Sequence, residues 1–470
     1  MLFNSVEFLL FFPLVTILYF LAPYNFRWLL LLIASCVFYM FFIPVYILIL
    51  AFTILIDYIA GIMIERMNEK RKLFLVMSIV ANIGVLAFFK YYDFLALNIN
   101  ALANKDIIPI LKIILPIGLS FHTFQAMSYT IEVYRGKQKA EKHLGIYALY
   151  VMFYPQLVAG PIERPQNILP QFRTRHEFSI DLLYSGLRLM LWGLFKKVVV
   201  ADRLAIYVDA VYSNPTHYSH YLNILIAFVF FSIQIYCDFS GYSDIAIGSA
   251  RVLGIDLMVN FNRPYFSKNI REFWSRWHIS LSTWFRDYLY IPLGGNRVKI
   301  NRLYFNILIV FFISGLWHGA NWTFVVWGGL HALYMIINIT FAKYFFKQQG
   351  FINKFTGWFI TFWAVTIAWV FFRAANFSDA FLLLQHLFSL NHSTPFIAAF
   401  IYNKIIFGMG AMIISIFVVV FTFFIEKNAD TLLLSFTNKR SADIIFCSTV
   451  LILIILLGVF QKNSFIYFQF

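Results

Sequence analysis

Leu303-Tyr-Phe-Asn-Ile-Leu-Ile-Val-Phe-Phe-Ile-Ser-Gly-Leu-Trp-His-Gly-Ala-Asn-Trp-Thr-Phe-Val-Val-Trp-Gly-Gly-Leu-His-Ala-Leu-Tyr-Met-Ile-Ile-Asn-Ile-Thr-Phe-Ala342 contains no Asp, Glu, Lys or Arg. A membrane-spanning helix needs about 20 mostly apolar residues. This run is long enough for more than one crossing, so its solvent is lipid. Further candidate spans lie near 5–23, 28–60, 73–97, 107–131, 144–160, 182–212, 222–254, 354–374, 403–425 and 442–461. Because some exceed one crossing, the expected fold is an all-α polytopic membrane protein with about 10–12 transmembrane helices plus re-entrant or interfacial pieces.

Composition agrees. The 470 residues are 61% hydrophobic and 13% charged, against about 25% charged in soluble domains. A soluble chain of this length would lack the polar surface to cover its core. No Gly/Ser linker, charge block, low-complexity tract or fixed-period repeat divides the chain, so one membrane domain over 1–470 is expected. The first apolar segment lacks a charged n-region and a small-residue cleavage site, and reads as a retained helix.

The formal net charge of +15 is no nucleic-acid signal here. The cations sit in short loops between apolar runs, as in Glu65-Arg66-Met67-Asn68-Glu69-Lys70-Arg71-Lys72. Such loops face the cytoplasm and its anionic lipids. A sharper expectation is that Lys196, Lys197 and the basic residues of 263–302 also meet an anionic cytosolic substrate. Cys36, Cys237 and Cys447 lie in apolar runs without CxxC spacing, which points to inert buried thiols rather than a disulfide framework.

The histidines do not form a metal pattern. His217 and His220 have no acidic neighbour, and HExxH is absent. There is also no P-loop, Rossmann glycine fingerprint or GxSxG elbow. His318 and His331 are thirteen apart; on a single helix they would be rotated by about 220° and face apart. His318 stands out by context, an imidazole deep in an apolar run beside Gly315 and Gly319. Ionisable groups inside a membrane mark function by default, and glycines admit a close helix or ligand. A packed histidine bonded across helices is the bland alternative.

Two more stretches carry unusual polar residues. As one helix, 270–289 would place Phe273, Trp277, Leu281, Trp284 and Tyr288 on an apolar stripe. Arg271, Ser275, His278, Ser282 and Arg286 would form a polar stripe, with Glu272, Arg276 and Asp287 on a third side. Such a helix would lie at the interface, and its polar side would be either a site or simply a solvated face. Asp238 and Asp244 sit inside a long apolar segment, where structural support explains them better than catalysis.

Several runs resemble the membrane-bound O-acyltransferase family. They are Asp238-Phe-Ser-Gly-Tyr-Ser-Asp-Ile-Ala-Ile-Gly, Asn260-Phe-Asn-Arg-Pro-Tyr, Phe273-Trp-Ser-Arg-Trp-His-Ile-Ser-Leu-Ser-Thr-Trp-Phe-Arg-Asp-Tyr-Leu-Tyr-Ile-Pro-Leu-Gly-Gly-Asn-Arg and Leu316-Trp-His-Gly-Ala-Asn-Trp. The strong resemblance covers roughly 234–333, and the branch is the bacterial alginate O-acetylase-like group. Pro155-Gln-Leu-Val-Ala-Gly-Pro-Ile and the closing Phe465-Ile-Tyr-Phe-Gln-Phe are similar to that branch as well.

The resemblance implies a helical bundle with a central tunnel reached from both membrane faces. It assigns His318 as the central catalytic histidine and His278 as the second polar position, filled by His in this branch and by Asn or Asp in others. The implied reaction is acyl transfer, acetyl above all, from a cytosolic thioester such as acetyl-CoA to an extracytoplasmic polysaccharide or peptidoglycan. No bound cofactor and no metal are expected. His318 would be the general base, with His278 stabilising the oxyanion or positioning substrate. Trp274, Trp277 and Asp238 would shape or support the donor site, and Arg271, Arg276 and Arg286 would hold donor phosphates. A separate extracytoplasmic acetyltransferase or esterase-like partner, and residence in the bacterial inner membrane, are implied too.

D-alanyl transfer to teichoic acid is the nearest alternative. Its proteins share the Arg-Trp-His-Ile-Ser-Leu-Ser-Thr-Trp-Phe-Arg-Asp run, but Tyr288-Leu-Tyr-Ile-Pro-Leu-Gly-Gly-Asn-Arg is typical of the acetylase-like branch. A transporter or flippase would spread polar groups over several helices, often with inverted repeats. A scaffold would tolerate loss of His318.

Overall fold

The computed structural model describes residues 1–158, 160–345, 351–389, 408–428, 440–460 and 465–466. Among these residues there are helices and no strands. Lipid offers the backbone no hydrogen-bonding partners, and helices satisfy their own N–H and C=O groups. Seven helical stretches are long and apolar enough to cross a membrane: Pro44–Arg66, Asn68–Ala103, Tyr221–Val252, Ile300–His318, Trp322–Phe341, Lys354–Arg373 and Gly410–Lys427. Val6–Leu21, Tyr24–Met40, Phe377–Phe388 and Asp443–Leu457 are shorter apolar helices. Side chains such as Leu10, Leu102, Phe388 and Leu456 are each more than 70% exposed. In water that surface would drive aggregation; in a bilayer it faces hydrocarbon. The chain is a multi-pass membrane protein.

The chain divides into two compact units, Met1–Met190 with Tyr242–Val259, and Leu191–Gly241 with Asn260–Phe470. The first holds α1 (Val6–Leu21), α2 (Arg27–Met40), α3 (Ile47–Arg66), α4 (Arg71–Leu86), α5 (Tyr92–Ala103), α6 (Leu119–Tyr134), α7 (Leu144–Met152), α8 (Tyr154–Leu157) and α9 (Pro165–Phe172). Its buried Asp57 on α3 accepts from Asn82 at 2.9 Å and from Ser78, both on α4; Ser78 in turn reaches Thr130 on α6 at 3.0 Å. A carboxyl group inside an apolar bundle is tolerated because its oxygens are hydrogen-bonded. The cationic loop at 65–72 joins α3 to α4 here.

The second unit takes the end of α10 (Ile180–Phe195), a π-helical turn at Lys196–Ala201, α11 (Asp202–Ser213) and the first part of α12 (Tyr221–Val252). It continues with α13 (Ile270–Arg276), α14 (Ile279–Phe285), α15 (Ile300–His318), α16 (Trp322–Phe345), α17 (Phe351–Arg373), α18 (Phe377–Phe388), α19 (Met409–Lys427) and α20 (Arg440–Leu457). Two contacts set the α15–α16 hairpin. A Cβ on Gly315 would stand 2.3 Å from the Phe324 carbonyl oxygen, and one on Gly328 would stand 2.3 Å from that of Phe311. Only glycine lets the two backbones approach this closely. The reversal between them is short: α15 ends at His318, and Asn321 accepts from the Thr323 N–H at 3.1 Å to start α16.

Lys196 and Lys197 correct the sequence expectation. Both are buried, at 3% and 1% exposure, and both are neutralised internally. Lys197 Nζ lies 2.8 Å from Asp202 and 2.7 Å from Asp238; Lys196 Nζ lies 3.6 Å from Glu426, which also accepts from the Tyr236 hydroxyl at 2.6 Å. A cation held by two buried carboxylates is not presented to a cytosolic anion. The π-turn carries both lysines inward. The second oxygen of Asp238 accepts from the Ile466 N–H at 2.7 Å, and Val459 N–H donates to Val198. Of the closing run, Phe465 and Ile466 pack in this unit, and 467–470 lie outside the described residues.

Candidate active site

The stretch 270–289 is not one helix. α13 starts at Asn269, whose side chain accepts from the Glu272 N–H, and it stops at Arg276. Trp277 is extended, and His278 adopts a left-handed φ of 42° before α14 begins. Asn, Asp and His are the non-glycine residues that most often tolerate this region. The segment 260–262 bridges the break. Asn262 N–H donates to the Arg276 carbonyl at 2.9 Å, and Ile279 N–H donates to the Asn260 carbonyl at 2.9 Å. The Asn260 side chain accepts from the Ser280 hydroxyl at 2.7 Å. The Asn260-Phe-Asn run therefore acts as a splint that fixes an otherwise unfavourable turn.

The break dissolves the expected polar stripe. The apolar residues Phe273, Trp277, Leu281 and Trp284 are still buried, but so is His278, with no exposed surface, while Arg271 and Arg286 stay outside. Arg276 pairs with Glu272 at 2.7 Å, and Arg286 with Asp287 at 2.8 Å. Arg271 makes no ion pair among the described residues.

His278 packs edge-on against Phe239 with ring centroids 4.6 Å apart, and parallel to Phe261 at 6.4 Å. Burial pushes its imidazole down to about 3, so it is neutral near pH 7. His318, 4% exposed, closes α15. Its ring stands nearly perpendicular to Trp317 at 4.9 Å, Trp327 at 4.9 Å and Phe372 at 5.3 Å. Trp317 also lies 6.2 Å from His278. The two candidate histidines, from different segments, thus share one indole.

Behind His318 the aromatic packing continues. Trp327 stacks on Trp369 at 5.7 Å, and Trp369 contacts Trp277 at 5.0 Å. Trp369 Nε1–H donates to the Tyr265 hydroxyl at 3.2 Å, and that hydroxyl donates to the Ser232 carbonyl. His331 is buried and also packs on Trp327, at 4.9 Å, and accepts from the indole N–H of Trp274 at 3.3 Å. Sequence spacing alone set His331 aside, on the premise of one continuous helix. The chain turns at 319–321, so His318 and His331 belong to opposite arms of a hairpin and flank the same tryptophan. The signal was present in Gly319 and in Asn321, a helix-capping residue type.

The grouping is therefore uneven. His278, His318, Trp274 and Trp277 belong to one connected aromatic region, Arg271, Arg276 and Arg286 lie toward its outside, and Asp238 is engaged by Lys197 and Ile466. Chemically, the region supplies a buried imidazole at a helix end, fixed by three rings, and a second, neutral imidazole across Trp317.

Residues 142–377 match the pattern of the membrane-bound O-acyltransferase family. The peptidoglycan O-acetyltransferase of Helicobacter pylori is 37% identical over 389 residues, covering 77% of this chain and 73% of that protein. The probable alginate O-acetylase AlgI of Pseudomonas aeruginosa is 39% identical over 398 residues, with 83% and 75% covered. The teichoic acid D-alanyltransferase of Bacillus subtilis matches less, at 30% over 240 residues, 48% of this chain and 60% of its own length. The chain is an acyltransferase and belongs to the membrane-bound O-acyltransferase family.

Proposed function

We propose that the chain moves an acetyl group from a cytosolic thioester, acetyl-CoA or a carrier-bound equivalent, to a hydroxyl on the outer side of the bacterial inner membrane, for O-acetylation of a cell-surface polysaccharide or peptidoglycan. The observation that carries the reading is His318, an imidazole held by Trp317, Trp327 and Phe372 at the end of a membrane-crossing helix. Relatives named for peptidoglycan and alginate acetylation, matched over most of the chain, support acetyl over D-alanyl transfer.

The His318 ring takes the proton of the attacking hydroxyl. The hydroxyl oxygen bonds to the thioester carbonyl carbon, and the oxyanion that forms is met by a hydrogen-bond donor, for which neutral His278 is the candidate. The C–S bond then breaks, the imidazolium returns its proton to the leaving sulfur, and the products are an ester and a thiol. A central tunnel from both faces would let the acyl group cross while coenzyme A stays in the cytosol. Exposed Arg271 suits a donor phosphate. A separate extracytoplasmic acetyltransferase or esterase-like protein would place the group on the polymer.

The test is polymer-bound acetate in cells carrying His318→Ala, with membrane levels checked by immunoblot. Loss of acetate ester at normal protein level is expected. Retained ester would overturn the role of His318 and turn attention to His278 or a scaffold.

A further inference from the structure

A cavity outside the aromatic region lies between two of the membrane-crossing helices. α16 and α17 are pressed together where Trp327 stacks on Trp369. Further along the same pair a cleft of about 360 Å³ opens between them, between Ile337 and Phe341 on α16 and Gly357, Ile360 and Ala364 on α17. Ile337, Phe341 and Ile360 are themselves 44–55% exposed, so the cleft communicates with the surroundings of the helices. Those surroundings are hydrocarbon, because both helices are long and apolar enough to cross a membrane.

The walls of the cleft are mostly apolar, with Asn338, Thr356 and Thr361 as the polar members between the two helices, and such a lining suits a hydrocarbon chain better than water, which needs two to four polar partners. An empty cleft would forfeit dispersion contacts along both walls. An acyl chain satisfies both conditions. One end of the cleft is different in character, since Lys268 and Asn269 line it. Lys268 is exposed, and its ammonium has no carboxylate partner among the described residues. The nearby Glu272 carboxylate is already committed to Arg276 and to the Lys268 backbone N–H. An apolar slot with an uncompensated cation at its end matches an apolar chain bearing an anion.

We propose that the α16–α17 cleft is a binding site for an anionic phospholipid, with one acyl chain in the cleft and the phosphate on Lys268. The site lies beside the reacting region and does not depend on the acyl-transfer assignment. Its inner wall is Tyr334, whose ring is 5.9 Å from His331, so an occupied cleft supports the helix pair that holds Trp327.

The full chain, purified in detergent, is exchanged against phosphatidylglycerol or phosphatidylcholine of equal chain length, and retained lipid is counted by native mass spectrometry. The wild type is expected to keep one phosphatidylglycerol in preference to phosphatidylcholine. Lys268→Gln should lower that preference about fivefold, the worth of one cation at an anionic lipid surface, while Gly357→Leu, which fills the cleft, should lose both lipids. Lys268 is exposed, so its variant decides the matter even if Gly357→Leu fails to fold. Equal retention by the wild type and Lys268→Gln overturns the proposal. So does displacement of the lipid by inorganic phosphate or coenzyme A, or a folded Gly357→Leu protein that keeps phosphatidylglycerol as the wild type does.

Discussion

The indole N–H of Trp274 donates to Nδ1 of His331 at 3.3 Å. An Nδ1 that accepts a hydrogen bond carries no proton, so this bond selects the tautomer of His331 with its proton on Nε2. It also ties α13 to the middle of α16, directly behind Trp327 and His318. Trp274→Phe keeps one aromatic ring but removes the indole N–H together with part of the packing on Phe311 and Trp327. The unpaired buried acceptor alone should cost about 1–3 kcal/mol, so the loss is at least of that order. Thermal unfolding in detergent checks this, and a melting temperature equal to wild type would show that the bond contributes nothing.

His278 gives a pH prediction. Its folded value of about 3 lies below the ordinary 6.5 because burial disfavours the imidazolium. The unfolded chain therefore binds the extra proton first, and stability is lost as pH falls from about 6.5 toward 3. Between pH 6.5 and 8 the ring is neutral in the folded protein and adds no titration there. His278→Asn should lower the acetyl-transfer rate while leaving the shape of the pH–rate profile over that interval unchanged. A profile whose inflection moves in the variant would contradict a neutral His278.

The splint at Asn260 predicts a defect at a distance. Asn260→Ala removes the acceptor for the Ser280 hydroxyl and loosens the turn that places His278. A loss of about 1–3 kcal/mol in stability is expected, with transfer activity reduced even below the unfolding temperature. Asn260→Asp, which keeps an acceptor, should recover part of the activity. Indistinguishable activity in the alanine and aspartate variants would separate the splint from His278.

Lys197 is held by Asp202 and Asp238 inside the second unit. Lys197→Met leaves those buried carboxylates without their cation, and breaking such a pair costs about 3–5 kcal/mol. Low membrane yield and a lower melting temperature are expected. Adding Asp238→Asn should restore part of the loss by removing one of the stranded charges. If the double variant is no better than the single one, Asp238 is not the residue that Lys197 neutralises.

The hairpin predicts a steric failure. A side chain on Gly328 would strike the backbone of α15 at the Phe311 carbonyl. Gly328→Leu forces the helices apart and shifts Trp327 away from His318. Protein that still reaches the membrane should lose acetyl transfer, and wild-type turnover would show that the close approach is dispensable.

The membrane fold was legible in the sequence, and His318 stood out there as a candidate for chemistry, for related reasons. Lipid demands long apolar runs, and a run without charges can be read by length alone, as in 303–342. Within such a run an ionisable ring between glycines is conspicuous because burial there is costly. Pairing, by contrast, depends on residues far apart in the chain. That Lys196 and Lys197 face inward, that a turn interrupts 270–289 at His278, and that His331 shares Trp327 with His318 were decided by distant partners: Glu426 and Asp238, Asn260, and Trp274. A helix period describes faces only while the helix continues, and where it stops is set by hydrogen bonds from elsewhere. The sequence by itself therefore determined the solvent and the helices, and it singled out His318 as the candidate for chemistry. The tertiary structure decided which polar groups are spent on holding the fold and which are left for chemistry, because electrostatic and hydrogen-bond compensation are properties of neighbours in space.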